Sequence, residues 1–180
     1  MEPFKQAGSF DPQPILEEIE SRSQLWDWLN LRKLAPGSTH TEARDIILRW
    51  QDLSGNIQDQ WTHVECKDLV VSELFPRTMQ AIRNWAPGLI GRIVIAELGP
   101  GAKVASHEDQ GNYADWHDRY HFVVVTNFGA TNECQGHTMH MGPGQIWLIN
   151  NHELHSAENA GLGARIHIIV DIRRDKPWHI

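Results

Sequence analysis

The amino-acid sequence predicts a mainly β fold, a jelly roll with the helices of an N-terminal part packed on it. Two observations carry this. From Gly91 onward the chain is a series of short β-branched runs separated by Gly-rich turns, the pattern of a sandwich or jelly roll. Before that point, residues 12–86 space their apolar side chains at helical intervals. With 180 residues the chain is long enough for one domain with a substantial core. The expected organisation is a single domain over 1–180, with a helical N-terminal part at 12–90 and a β core at 91–172.

Taken in order, residues 14–29 place Ile15, Leu16, Ile19, Leu25 and Trp26 with roughly helical spacing. Ala35-Pro36-Gly37-Ser38 reads as a turn. Residues 41–50, with Ile46-Ile47-Leu48, fit a short helix or a strand equally well. Residues 69–85 are helical in pattern, with Pro76 starting a new helix and Pro87-Gly88 stopping it. Strands are expected at 92–98, 120–125, 136–141, 145–149 and 165–171, with tight turns at Gly99-Pro100-Gly101 and Gly142-Pro143-Gly144. The polar tail at 173–180 is expected to fray.

Composition narrows the function. The formal charge of −7 favours solubility and argues against nucleic acid as the main partner. Cys66 and Cys134 are too few for a disulfide framework and read as free thiols in a reducing compartment. The opening MEPFKQAGSFDPQ lacks the basic and apolar regions of a secretory signal, and no apolar stretch is long enough to span a membrane, so a cytoplasmic location is expected. Oligomeric state is not legible.

Most of the eleven histidines lie in the second half, where metal chemistry is to be sought. His107-x-Asp109 alone carries little information. With His155 it supplies two imidazoles and one carboxylate, the ligand set of a facial Fe(II) site with three positions left open. Residues i and i+2 of a strand share a face, which lets His107 and Asp109 meet one metal. Arg165 follows ten residues after His155, across the Gly-rich stretch 158–163, which suggests a hairpin with 155 opposite 165. Its guanidinium then suits a bidentate grip on a carboxylate in the same pocket. Arg119 and His121 share a face by the same period of two. The loop 110–118 is a candidate lid or substrate contact, and Arg44, Arg49 and Trp50 are candidate substrate contacts. His137 and His140 read as satisfied or exposed histidines, and Trp147 as core.

Several motifs together resemble the aspartyl/asparaginyl β-hydroxylases and their bacterial relatives. These are Leu98-Gly99-Pro100-Gly101, His107-x-Asp109, Arg119-Tyr120-His121, Gly144-Gln145-Ile146-Trp147, Asn150-Asn151, His155-Ser156-Ala157-x-Asn159 and the run from Arg165 to Asp171. The resemblance implies a double-stranded β-helix and a dioxygenase using Fe(II), 2-oxoglutarate and O2. It implies that His107 and His155 bind iron, that Arg165 binds the distal carboxylate of 2-oxoglutarate, and that Arg119 and His121 contact the same cosubstrate. Asp109 completes the metal set and places the chain nearer bacterial members, among which free-proline hydroxylases are found. Its presence also argues against halogenation. Where the animal enzymes place a serine near the cosubstrate, this chain has Ala96. The implied substrate is an amino-acid-like small molecule or a peptidyl side chain. The alternative is a cupin-like module that binds a metal or small molecule without turnover.

Overall fold

The computed structural model describes residues 1–34, 37–52 and 65–178. In chain order the elements are β1 (Phe4–Ser9), α1 (Gln13–Glu20), β2 (Ala43–Trp50), β3 (Lys67–Asp68), α2 (Pro76–Trp85), β4 (Ile90–Leu98), β5 (Lys103–His107), α3 (Asn112–Asp115), β6 (His117–Val125), β7 (Ala130–Cys134), β8 (His137–Met139), β9 (Gln145–Ile149), β10 (His155–Asn159) and β11 (Arg165–Arg173). Short 3-10 turns occupy Ser23–Leu25 and Val70–Leu74. Residues 35 and 36 of the expected turn lie outside the described residues.

The strands form two antiparallel sheets, a seven-stranded one in the order β1-β9-β6-β11-β4-β2-β3 and a four-stranded one in the order β5-β10-β7-β8. Pairing is nested. β4 pairs with β11, β5 with β10, β6 with β9 and β7 with β8. That nesting is a double-stranded β-helix, as expected.

Period-two alternation in the large sheet divides its two faces. Ile93, Ile95, Phe122, Val124, Ile168, Val170 and Ile172 point outward and bury against Ile15 and Ile19 of α1 and Met79 and Ile82 of α2. Each fully buried side chain of this size contributes roughly 1.5–3 kcal/mol. The opposite face carries the alternate residues, including Val94, Ala96, Val123 and Ile149. Glu18 joins the two helices. Its carboxylate accepts hydrogen bonds from the Arg77 and Thr78 amides at 3.0 and 2.9 Å and from Thr78 Oγ1 at 2.7 Å. These are the amides left unbonded in the first turn of α2, where Pro76 has none to lose.

Among the described residues, the helical reading of 12–90 gives α-helix only at Gln13–Glu20 and Pro76–Trp85. The ambiguous stretch at 41–50 is the strand β2, paired with β4 from Ala43↔Leu98. Ile46, Ile47 and Leu48 are all fully buried because helices cover one face of the strand and the sandwich interior covers the other. A register shift between Ile47 and Arg49 turns Trp50 to the inner face beside Ile47. Strand β1 has no apolar alternation to signal it, since it is an edge strand held by backbone pairing to β9. The tail is pinned at least to residue 178. The Arg174 and Trp178 amides donate to the Trp116 and Asp115 carbonyls, both at 2.8 Å, Arg174 pairs with Asp118 at 2.7 Å, and Trp178 stacks on His152. No helix of the described residues is long and apolar enough to cross a membrane.

Candidate metal centre and adjoining cavities

His107 ends β5 and faces His155 of β10 across the antiparallel pair, with ring centroids 4.3 Å apart. Each imidazole is oriented by the carbonyl two residues before it. His107 Nδ1 lies 2.8 Å from Ala105 O and His155 Nδ1 lies 2.9 Å from Glu153 O. A carbonyl only accepts, so both rings carry hydrogen on Nδ1 and present a bare Nε2. His107 Nε2 is buried without a hydrogen-bond partner.

Asp109 lies in the loop after β5, not on the strand, so strand periodicity does not place it. Its amide donates to Asn151 O at 2.9 Å. Its Oδ2 accepts from Asn151 Nδ2 at 3.0 Å and from Arg119 Nη1. Oδ1 is left facing His107 Nε2 at 3.6 Å. One ligand atom from each of His107, Asp109 and His155 lies within 4.8 Å of the others. Bare imidazole nitrogens, an ionised carboxylate oxygen and supporting hydrogen bonds behind all three fit a divalent first-row metal. Burial alone would raise the Asp109 carboxyl. The Arg119 guanidinium, the two imidazoles and the Asn151 amide outweigh it and hold the group well below the usual carboxylate range.

Arg119 is gripped from both sides. Besides Asp109 it donates to both oxygens of Asp171, at 2.9 and 3.1 Å. It lines the cavities on either side of the cluster, but its fork is occupied by carboxylates and orients Asp109.

Arg165 does not sit opposite His155. It pairs with Leu98 of β4, and His155 pairs with His107 and Cys134. The stretch 160–164 crosses from the small sheet to the large one. Asn159 turns the chain there by donating to the Leu98, Gly99 and Gly163 carbonyls. The two residues still share a cavity, because inward residues of facing sheets point at one another. Arg165 is 4% exposed, and no carboxylate of the described residues pairs with it. Its Nη2 donates to Asn132 Oδ1 at 2.6 Å and meets His167 Nδ1 at 3.1 Å, while Nε has no partner. Burial, with the Arg32 charge nearby, pushes it down to about 9. A buried guanidinium with no counter-charge is a cradle for an incoming carboxylate. His121 and Ala96 line the same narrow cavity between Arg165 and the cluster.

On the other side of the cluster lies a cavity of about 580 Å³, walled by Leu31, Trp50, Val94, Tyr113 and Ile169. The Arg92 guanidinium lies between the Trp50 and Tyr113 rings, 4.0 and 3.9 Å from their centroids, and its Nε donates to Gln51. Tyr113 OH accepts from the Arg92 amide at 2.7 Å and donates to Asp171 at 3.0 Å. Gly91 permits this approach, since a Cβ there would lie 2.5 Å from the Tyr113 hydroxyl. Of the loop 110–118, Gln110 and Gly111 reach this cavity, Tyr113 forms its buried wall and His117 begins β6.

Of the other candidates, Trp50 lines the cavity. Arg44 pairs with Glu97 and Arg49 with Asp68, both away from it. His137 is exposed, His140 bonds the Ala130 carbonyl, and Trp147 is only half-buried. Sequence reasoning missed Arg32, His40, Arg92, Asn132, Asn151, His167 and Asp171 as parts of the site. His167 and Asp171 were within reach, since steps of two from Arg165 along β11 place both on its inner face.

Burial holds the His121 and His167 imidazoles well below their ordinary 6.5, with the Arg165 charge adding to it. As pH falls below 6.5 the unfolded chain takes up protons that the folded protein resists. Stability of the metal-free protein is therefore expected to fall on acidification, by up to about 1.4 kcal/mol per pH unit for each ring. Thermal unfolding between about pH 7 and about pH 5.5 checks this, and a midpoint that stayed level or rose would contradict it.

The fold and the cluster define a double-stranded β-helix protein with two histidines and one carboxylate placed so that they could hold a metal ion. Residues 13–175 match the sequence model of the Aspartyl/Asparaginyl beta-hydroxylase family, and the chain belongs to that family. An L-proline cis-4-hydroxylase of Rhizobium meliloti (strain 1021) is 30% identical over 77 residues, which cover 43% of this chain and 28% of that protein. The matched region thus spans less than a third of the curated relative's length. Among solved structures, a 2OG-Fe(II) oxygenase family oxidoreductase from Burkholderia pseudomallei superposes with a TM-score of 0.60 at 13% identity, covering 97% of this chain and 84% of that one. A Pseudomonas putida prolyl-4-hydroxylase gives a TM-score of 0.55 at 16% identity, covering 96% and 92%. Both are similar in fold along nearly the whole chain.

Proposed function

We propose that this protein is an Fe(II)- and 2-oxoglutarate-dependent dioxygenase that hydroxylates a C–H bond of an amino-acid-like small molecule or peptidyl side chain. One observation carries the reading. The bare Nε2 atoms of His107 and His155 and Oδ1 of Asp109 converge, and a buried guanidinium without a carboxylate waits at the far end of the same cavity. Those three side chains would hold the iron, and Arg165 the distal carboxylate of 2-oxoglutarate. His121 would meet its other end, and Arg119 would serve from behind Asp109. Bound there, iron with 2-oxoglutarate and O2 supplies the oxidising chemistry, with succinate and CO2 as co-products.

The chain's own residues do the positioning. The Ala105 and Glu153 carbonyls hold the imidazole tautomers. Arg119 and Asn151 keep Asp109 ionised and occupy one of its oxygens, so that it binds through the other. Val94, Ile169 and Trp50 give the larger cavity an apolar wall that excludes water beside the reacting C–H. Its size suits a free amino acid or one side chain of a peptide. The proline hydroxylase among its relatives supports the free amino acid.

The test is to load the protein anaerobically with Fe(II), then add 2-oxoglutarate, O2 and a panel of free amino acids and short Asp-, Asn- and Pro-containing peptides. Succinate should form together with a product heavier by one oxygen atom. Iron binding with no succinate above the metal-free control would leave a non-catalytic cupin-like binding module.

A further inference from the structure

His167 is a buried polar side chain for which the proposed reaction has no use. It lies two residues after Arg165 on the inner face of β11 and is 1% exposed. Its Nδ1 is 3.1 Å from Arg165 Nη2 and 3.2 Å from His121 Nδ1, and its Nε2 has no hydrogen-bond partner. One nitrogen thus touches both the guanidinium meant for one end of the cosubstrate and the imidazole meant for the other.

A proton count follows from the donors. Arg165 can only donate, so His167 Nδ1 must be bare and its hydrogen must sit on Nε2. His121, 3.2 Å from the same bare atom, then donates from its own Nδ1 and is left with a bare Nε2. A bare nitrogen repels a carboxylate. The arrangement also buries an unbonded N–H at His167 Nε2, which is destabilising. The opposite tautomers remove the first defect and exchange the unbonded donor for an unbonded acceptor. With hydrogen on His167 Nδ1 donating to His121 Nδ1, His121 carries hydrogen on Nε2 and can bind a carboxylate. That state places a hydrogen against Arg165 Nη2, so it requires the guanidinium to turn its hydrogens onto something else.

We infer that His167 is a positioning residue that couples the two ends of the cosubstrate pocket: a carboxylate that draws off the Arg165 hydrogens lets His167 donate to His121, which then presents Nε2–H to the second carboxylate. In the step the Nδ1 hydrogen of His121 passes to His167 Nδ1, His167 gives up its Nε2 hydrogen to water and His121 takes one from water at Nε2, so both rings stay neutral. The inference rests on the 2-oxoglutarate reading of the site.

The test uses Zn(II)-loaded protein, which binds without turnover, and compares 2-oxoglutarate with 2-oxovalerate, which lacks the distal carboxylate. His167→Phe should cut the preference for 2-oxoglutarate over 2-oxovalerate about tenfold, since one charge-assisted hydrogen bond is no longer tied to the distal carboxylate. His167→Asn, with an amide group near the place of Nδ1, should recover most of the loss. In the unaltered protein, histidine ring ¹⁵N resonances should show the bare Nδ1 moving from His167 to His121 when 2-oxoglutarate is added, but not when 2-oxovalerate is. Equal weakening of both acids, or tautomers that do not change, overturns the coupling. Arg165→Ala run alongside separates the two levels. If it fails to discriminate between the acids, the cosubstrate reading itself is what falls.

Discussion

Arg165→Ala is expected to weaken 2-oxoglutarate binding by about a hundredfold or more while leaving metal affinity unchanged. The size follows from the bonds lost. A carboxylate against this guanidinium would make two charge-assisted hydrogen bonds in a buried setting, each contributing roughly 1.5–3 kcal/mol, and every 1.4 kcal/mol is about tenfold. The same change should not destabilise the ligand-free protein much, because the wild-type side chain is a buried cation held by Asn132 and His167 and by no carboxylate of the described residues. Ligand should therefore raise the melting temperature of the wild type and leave that of the variant level. Arg165→Lys should not restore binding, since an ammonium lacks the planar fork. Calorimetric titration and thermal melts with and without 2-oxoglutarate check this, and unaltered affinity in Arg165→Ala would remove the clamp from the reading.

Asp109→Ala is expected to abolish metal binding or weaken it by well over about a hundredfold. Asn151→Ala, which removes a hydrogen bond to that carboxylate but no ligand atom, should cost about 10–100-fold. The ranking is the diagnostic part. Asp109 supplies an ionised oxygen to the cluster and is the second counter-charge of Arg119. Without it, that guanidinium keeps only Asp171 and leaves positive charge where a cation must bind. Metal titration under nitrogen, followed directly and through activity, separates the variants. Full activity in Asp109→Ala would take the residue out of the ligand set, and equal losses would make Asp109 and Asn151 supports of the same kind.

The β core was legible because its central strands are β-branched runs bounded by Gly-rich turns, not because of alternation, since β4 and β11 are buried almost throughout. The runs at 92–98, 120–125 and 165–171 all proved to be strands of the large sheet. The small sheet was harder. β5, β7 and β10 are five residues each and rich in polar side chains, so their order comes from pairing and not from apolar pattern. The same weakness produced the wrong hairpin. Residues 155 and 165 flank a Gly-rich tip, and local spacing cannot tell a hairpin from a crossing between sheets. Ile46-Ile47-Leu48 was ambiguous because a segment buried on both faces has no period to read.

By itself the sequence determined the chemical inventory: two imidazoles, a carboxylate and an arginine, on a chain whose second half must be β. Which residues stand behind them was a matter for the tertiary structure alone. Asn151, Asn132, Asp171, Arg32 and Arg92 come to the site from separate strands and loops, and act there through hydrogen bonds, charge or ring contacts made across the fold. Side-chain type and local period say what a residue can donate or accept. The partner it meets depends on how two sheets close over each other, and that is settled only when the whole core packs.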